Sequence, residues 1–407
     1  MSPTLLAVLA AFIVAFVIWA PLRAAFVGLV AVSWLIPSAL ALPFSPSAYP
    51  TLHRLVLAAF AVGLIRRGRR GEVHLDDARP TALALALAGY ASLAFSIGIV
   101  LGDPDVKIAS SLNSWLSILD SFVFYAVVLI AIRAIGDLAW IAKAVAGVFV
   151  AAAGIALGEH ATKWSYGRWF FEAVPPQNPP PGSFPLESRG GDVRVRAAAD
   201  FALAYAWVSV GALPLVLAVA AKAKRVVAIA FPAALVLTVI WTYSRSAYAG
   251  IAAGAVVLIL GSRVDRRLTT VMVLGAIVGL LALGYQNVVR PTFGTQEATA
   301  STELREERFP AVLAQPEDRP FRGIGLAALA QRGIESTDAS FLLVYAELGV
   351  IGLVAFGMLI VMSLRWVVPS LRAPPGPDRV IAAAAFAGMV ALVIGAFAYD
   401  GFHVGSA

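Results

Sequence analysis

The sequence predicts an all-α, polytopic transmembrane helical bundle of about twelve spans. Three observations carry that prediction. Hydrophobic residues fill 60% of the 407 positions and charged residues only 14%, and the mean hydropathy is +0.84. Apolar runs of about 17–22 residues recur from end to end, and about 20 residues of helix cross the hydrocarbon core of a bilayer. The runs are continuous rather than alternating. Lipid offers no partner to a backbone N–H or C=O, so spanning segments are helices or closed barrels, and unbroken apolar runs read as helices.

In chain order the spans are expected at 4–19, 23–41, 51–65, 80–101, 112–132, 138–157, 200–221, 226–242, 246–262, 268–288, 340–363 and 380–399. The first three are short or closely spaced, so one of them can be re-entrant or fused with its neighbour. Residues 4–19 lack a basic N-terminal region before them, and no Ala-x-Ala-like site is followed by a soluble domain, so they read as a span rather than a signal peptide. No repeat period is visible and the two halves differ, which disfavours transporter folds built from internal repeats. The absence of Cys excludes disulfides, thiolate metal sites and a Cys nucleophile. His53, His74, His160 and His403 are scattered without metal-ligand spacing, and no P-loop, GxSxG or HExxH pattern is present.

The net charge of +7 reports topology before it reports partners. Short loops carry Arg66, Arg67, Arg69, Arg70 and Arg79, then Lys222, Lys224 and Arg225, then Arg263, Arg266 and Arg267, then Arg365, Arg372 and Arg379. With the spans above, all four groups fall on one side, which the positive-inside rule makes cytoplasmic. Loops 101–111, 158–199, 243–246 and 290–339 then face outward. Connections in compact domains usually run about 4–6 residues, and much longer ones tend to be functional or disordered. Chemistry is therefore expected in the 290–339 loop and the helix it runs into, with residues 303–352 the most informative stretch.

Loop 158–199 holds Trp164, Tyr166, Trp169, Phe170 and Phe171 and the run from Pro175 to Gly182. Aromatics just outside a span belong to the interfacial belt, and the prolines fix φ and forbid a regular helix. A stiff flap on the outer leaflet is expected, ending at Arg189, Arg194 and Arg196. Loop 290–339 has an expected helical core at 301–314, with Ser301 or Thr302 as N-cap and acids in the first turn. Pro310 is expected to kink or break it. Arg319-Pro320-Phe321-Arg322-Gly323-Ile324-Gly325 follows, where the glycines permit tight backbone approach.

Six features stand out chemically. Arg245, in Thr242-Tyr243-Ser244-Arg245-Ser246-Ala247, lies between two spans with almost no loop to sit in. Arg at a bilayer centre costs about 2.5–3.5 kcal/mol and less near the edge, so it points to a functional partner or, more simply, snorkels to headgroups. Asp338 stands where the outer loop meets a helix, as a base or as a plain N-cap. Arg305, Arg308, Arg319 and Arg322 are mixed with Glu303, Glu306, Glu307, Glu317 and Asp318. Arg305 and Arg308 share a helical face and can fork onto a diphosphate, or lace a solvated helix with ion pairs. Glu347 in Glu347-Leu348-Gly349-Val350-Ile351-Gly352 lies inside a span and needs pairing or a wet cavity, while Gly349 and Gly352 read as helix packing. Asp120 is a second acid inside a span, with no partner assignable from sequence. Asp103-Pro104-Asp105 matches a cation-ligating pair too briefly to outweigh a solvated turn.

Two blocks resemble the O-antigen ligase and O-antigen polymerase superfamily of polytopic bacterial proteins. One is Ser244-Arg245-Ser246-Ala247 opening a span. The other runs from Arg305 through Pro320-Phe321-Arg322-Gly323-Ile324-Gly325 to Asp338-Ala339-Ser340-Phe341-Leu342 and Glu347-Leu348-Gly349-Val350-Ile351-Gly352. Arg194-Val195-Arg196 and the span after it also look similar, so the likeness covers about 190–360. Ligases typically carry His at the start of the last helix. Here that position is Asp338, followed by Ala339 rather than Asn, which fits better with a polymerase or with a ligase for another acceptor. The resemblance implies a GT-C-like glycosyltransferase in the bacterial inner membrane, with large loops facing the periplasm or cell exterior. It would use a saccharide donor on undecaprenyl diphosphate, a glycan or lipid acceptor, and no metal, nucleotide cofactor or nucleic acid. It implies Asp338, Arg245 and Arg305 as catalytic residues. Arg245, Arg305, Arg308 and Arg322 would bind diphosphate, and Arg194, Arg196 and Glu347 are candidate substrate contacts. A lipid or polysaccharide flippase is the alternative reading of the same hydropathy.

Overall fold

A computed structural model describes residues 3–37, 51–74, 79–100, 108–173, 188–189, 192–199, 201–262, 309–325, 328–331, 340–372, 374 and 376–396. Among these, the chain forms thirteen helices, one minimal hairpin and a further helical stretch at 309–314. The helices are α1 (Pro3–Trp19), α2 (Leu22–Leu35), α3 (Leu52–Arg69), α4 (Arg79–Val100), α5 (Ile108–Ile135), α6 (Leu138–Thr162), α7 (Tyr166–Ala173), α8 (Ala202–Ala220), α9 (Arg225–Ile240), α10 (Arg245–Ser262), α11 (Ala328–Gln331), α12 (Ser340–Arg372) and α13 (Pro377–Ala396). Strands β1 (Ser188–Arg189) and β2 (Asp192–Val193) pair antiparallel, Ser188 opposite Val193.

Eleven of the twelve apolar runs coincide with helices, and the run at 268–288 lies outside the described residues. Among the described residues, four segments, Ile118–Ile135, Leu138–Thr162, Ala202–Ala220 and Phe341–Arg372, are long and apolar enough to cross a membrane. The total of about twelve spans rests on the sequence pattern. Helix α2 stops at Leu35, short of the expected 41. Ile36 precedes Pro37 and takes φ −116°, ψ 132°, the extended conformation that a following proline imposes. Helix α12 is longer than the expected 340–363 but is broken at Gly349. Residues 309–314 are helical, and the expected helix before Pro310, 301–308, lies outside the described residues.

Helix α8 is central, packing against α6, α9, α10 and α13. Its contact with α13 is made by small residues. A Cβ on Gly388 would strike the Gly211 carbonyl, and one on Gly211 would lie 2.6 Å from Leu392 Cγ. Lipid gives little hydrophobic drive between helices, so such close backbone approach supplies the contact. Trp207 adds a bond from its indole N–H to the Leu392 carbonyl at 2.8 Å. Helices α1, α2 and α3 bury Val17, Phe26, Leu29, Val56 and Phe60 in one cluster, and α4 and α5 bury Leu87 and Phe122 against Leu348 of α12.

Cations gather where α1 ends and α2 and α6 begin. Arg66 lies over the Trp19 ring at 4.3 Å, Arg67 donates to the Ala20 carbonyl, and Arg23 pairs with Asp137 at 3.2 Å. Between the start of α3 and the middle of α5, Arg54 Nε meets Asp120 Oδ2 at 2.6 Å. This is the partner that sequence could not assign to Asp120, supplied from 66 residues away.

Candidate functional site

A four-residue reversal, Trp241 to Ser244, joins α9 to α10 and presents Arg245 as the first residue of α10. Tyr243 makes the reversal possible by adopting φ 51°, a left-handed conformation unusual for a residue with a Cβ. Its N–H donates to the Ile240 carbonyl at 2.9 Å. Thr242 Oγ1 donates to Val239 O at 2.6 Å, and Tyr248 Oη to Ile240 O at 2.9 Å. Ser244 Oγ accepts from the Ala247 N–H at 3.4 Å, which caps α10, and bonds Ser246 Oγ at 3.0 Å. Arg245 itself is half-buried. Burial first, then Asp192 and Tyr248, pushes the Tyr243 phenol up to about 12, so it stays a neutral hydrogen-bonding group at physiological pH.

The segment after β2 lies along this reversal. Val195 N–H donates to Trp241 O at 3.4 Å, and Arg194 Nε donates to Thr242 O at 2.8 Å. The end of α6 holds the segment from behind. Glu159, 2% exposed, accepts from Tyr166 N at 2.9 Å, Arg196 N at 2.9 Å and Ala197 N at 2.7 Å. The neighbouring His160 ring lies flat on Trp241, centroids 3.7 Å apart and planes 4° apart. Arg196 is 5% exposed and its Nη2 donates to Ser165 Oγ at 3.0 Å. Arg194 and Arg245, distant in sequence, thus meet at one turn of backbone, while the Arg196 side chain turns toward Ser165.

Arg322 and Glu347 form a second group, at the break in α12. Gly349 has φ 67° and ψ −167°, which interrupts the helix. The carbonyls freed by the break accept from the tip of the 319–325 loop: Ile324 N to Ala346 O at 2.9 Å and Gly325 N to Glu347 O at 3.1 Å. The Leu348 carbonyl accepts from Tyr90 Oη at 3.1 Å. The freed N–H groups donate the other way, Val350 to Pro320 O at 2.9 Å and Ile351 to Phe321 O at 3.2 Å. Non-helical backbone at membrane depth survives only where protein satisfies it, and here the loop does so. A Cβ on Gly323 would lie 2.5 Å from the Glu347 carbonyl carbon, so the two backbones meet directly. The reading of Gly349 as a helix-packing residue is therefore corrected: it is needed for positive φ and for this loop. Glu347 is 2% exposed, whereas Arg322 is exposed and within electrostatic range of Tyr90.

Asp338, Arg305 and Arg308 lie outside the described residues, as do Asp103, Asp105 and the proline run 175–181. In the flap, α7 follows Trp164, and Trp164 and Trp169 are exposed with Arg168 5.1 Å above the Trp164 ring. Sequence reading missed Glu159. It lies just past the run ending at 157, on a helix that continues to Thr162. A lone acid beside an apolar run was the available signal.

The O-Antigen ligase family model matches residues 230–357, from α9 through α10 and the loop to the break in α12. The match supports membership of the O-antigen ligase and polymerase superfamily. No curated protein matches the chain.

Proposed function

We propose that this protein is an inner-membrane glycosyltransferase that polymerises or ligates saccharide units carried on a polyprenyl diphosphate. The observation that carries the reading is Arg245. It opens α10 at a capped turn, with Arg194 tethered to the same turn, and both the turn and the loop-bearing helix break fall inside the matched region. A half-buried guanidinium at a helix N-terminus suits an anion twice over, through its own charge and through the helix dipole.

In the proposed reaction the acceptor hydroxyl attacks the anomeric carbon from the face opposite the diphosphate. The C–O bond to phosphate breaks and its electron pair stays on the leaving diphosphate. Arg245, with Arg305 first and Arg308 second, stabilises that charge, as preorganised cations do in a water-poor site. Arg322 lies on the loop that carries the remaining phosphate contacts. Asp338 takes the hydroxyl proton, since partial desolvation raises a carboxylate's basicity while nearby Arg opposes the rise. The product is inverted and no metal takes part. The burial of Arg196 favours support of the backbone over contact with substrate.

The test uses purified protein in liposomes with an undecaprenyl-diphosphate-linked saccharide and EDTA present. Release of undecaprenyl diphosphate coupled to glycan growth is expected. Movement of the lipid-linked saccharide across the bilayer without its consumption would overturn the proposal in favour of a flippase.

A further inference from the structure

We propose that Glu159 is a positioning residue of the transfer site, acting through the 194–197 segment on the turn that bears Arg245. The inference rests on Arg245 being the diphosphate-binding group. Glu159 lies outside the 230–357 match and reaches the site only through backbone. Its carboxylate ties three separate pieces of chain together: the end of α6, the start of α7 at Tyr166, and the Arg196–Ala197 backbone.

Three observations make this more than a buried cap. First, Glu159 Oε2 takes two consecutive N–H groups, and the second belongs to Ala197, whose φ is 48°. The carboxylate holds a backbone conformation that alanine does not favour unaided. Second, that bend directs Arg194 and Val195 onto Trp241 and Thr242, three or four residues before Arg245. Third, the next residue, His160, stacks its ring on Trp241. Consecutive residues of α6 thus hold both partners of the same junction, the arginine segment and the turn. A carboxylate serves better than an amide there. All the groups facing it are donors, and Gln would turn its NH2 toward one of them.

The test is a double-mutant cycle on the full-length protein in lipid nanodiscs, with undecaprenyl diphosphate as probe and thermal midpoints recorded alongside. Wild type, E159Q, R245A and the double variant are titrated. E159Q is expected to weaken binding about tenfold when Arg245 is present and less than about twofold when it is absent, because coupled residues are not additive. An equal loss in both backgrounds, or no loss from E159Q while R245A binds poorly, would overturn the positioning role. If R245A binds as wild type does, the diphosphate reading itself falls, which is a different result. Should E159Q fail to fold, R194A keeps the three Glu159 bonds to backbone and removes the tether to Thr242. Its loss must likewise vanish in the R245A background, and an additive loss would overturn the inference.

Discussion

Arg245 is an arginine for a geometric reason. A guanidinium presents a planar fork to two phosphate oxygens, whereas an ammonium is a point charge. R245K should therefore keep the fold and lower the initial rate of transfer in liposomes about 100-fold, the usual scale for losing one preorganised donor. The Arg54–Asp120 pair is a different kind of intramembrane charge, because each partner already satisfies the other. Removing Arg54 strands a carboxylate inside a span. R54A should lose about 3 kcal/mol of stability in detergent melts, and D120N in the R54A background should recover part of it. An R54A protein that melts like wild type would show that the pair contributes nothing.

At the level of elements, α12 is defined by its break. A Cβ on Gly349 would overlap the Phe321 carbonyl, and one on Gly323 would overlap the Glu347 backbone. G349A and G323A should each abolish accumulation of folded protein. Gly325 also has positive φ, 105°, but no atom lies within 4 Å of its missing Cβ. G325A should cost only backbone strain, about 1–3 kcal/mol. Equal behaviour of the three variants on size-exclusion profiles would contradict the loop-to-break contact. The helices themselves were legible in the sequence, because an apolar run of spanning length has one stable backbone solution in lipid. The break was not, because hydropathy runs unbroken through Leu348, Gly349, Val350 and Ile351 and carries no record of φ. Arg245 was legible as a cation with no loop to hold it. Glu159 was not, because its three donors come from α7 and a segment nearly forty residues on. Such contacts are set by packing that no local pattern encodes.

Across the whole molecule, the claim is one of sidedness as well as chemistry. The Arg245 turn, Glu159 and the aromatic flap belong to one end of the bundle, and the Lys222–Arg225 connection to the other if α8 and α9 cross as expected. The chain has no Cys, so single substitutions report without background. In spheroplasts, W164C should react with a membrane-impermeant maleimide and K222C should react only after lysis. The reverse pattern would invert the topology and remove the donor site from the outer face. The most direct measurement of the central claim is the glycan ladder of a strain lacking this protein and complemented with R245K. Loss of long chains from the final acceptor is the expected result, with single lipid-linked repeat units accumulating if the transfer is polymerisation and long lipid-linked chains accumulating if it is ligation. A full-length ladder from R245K would contradict the account.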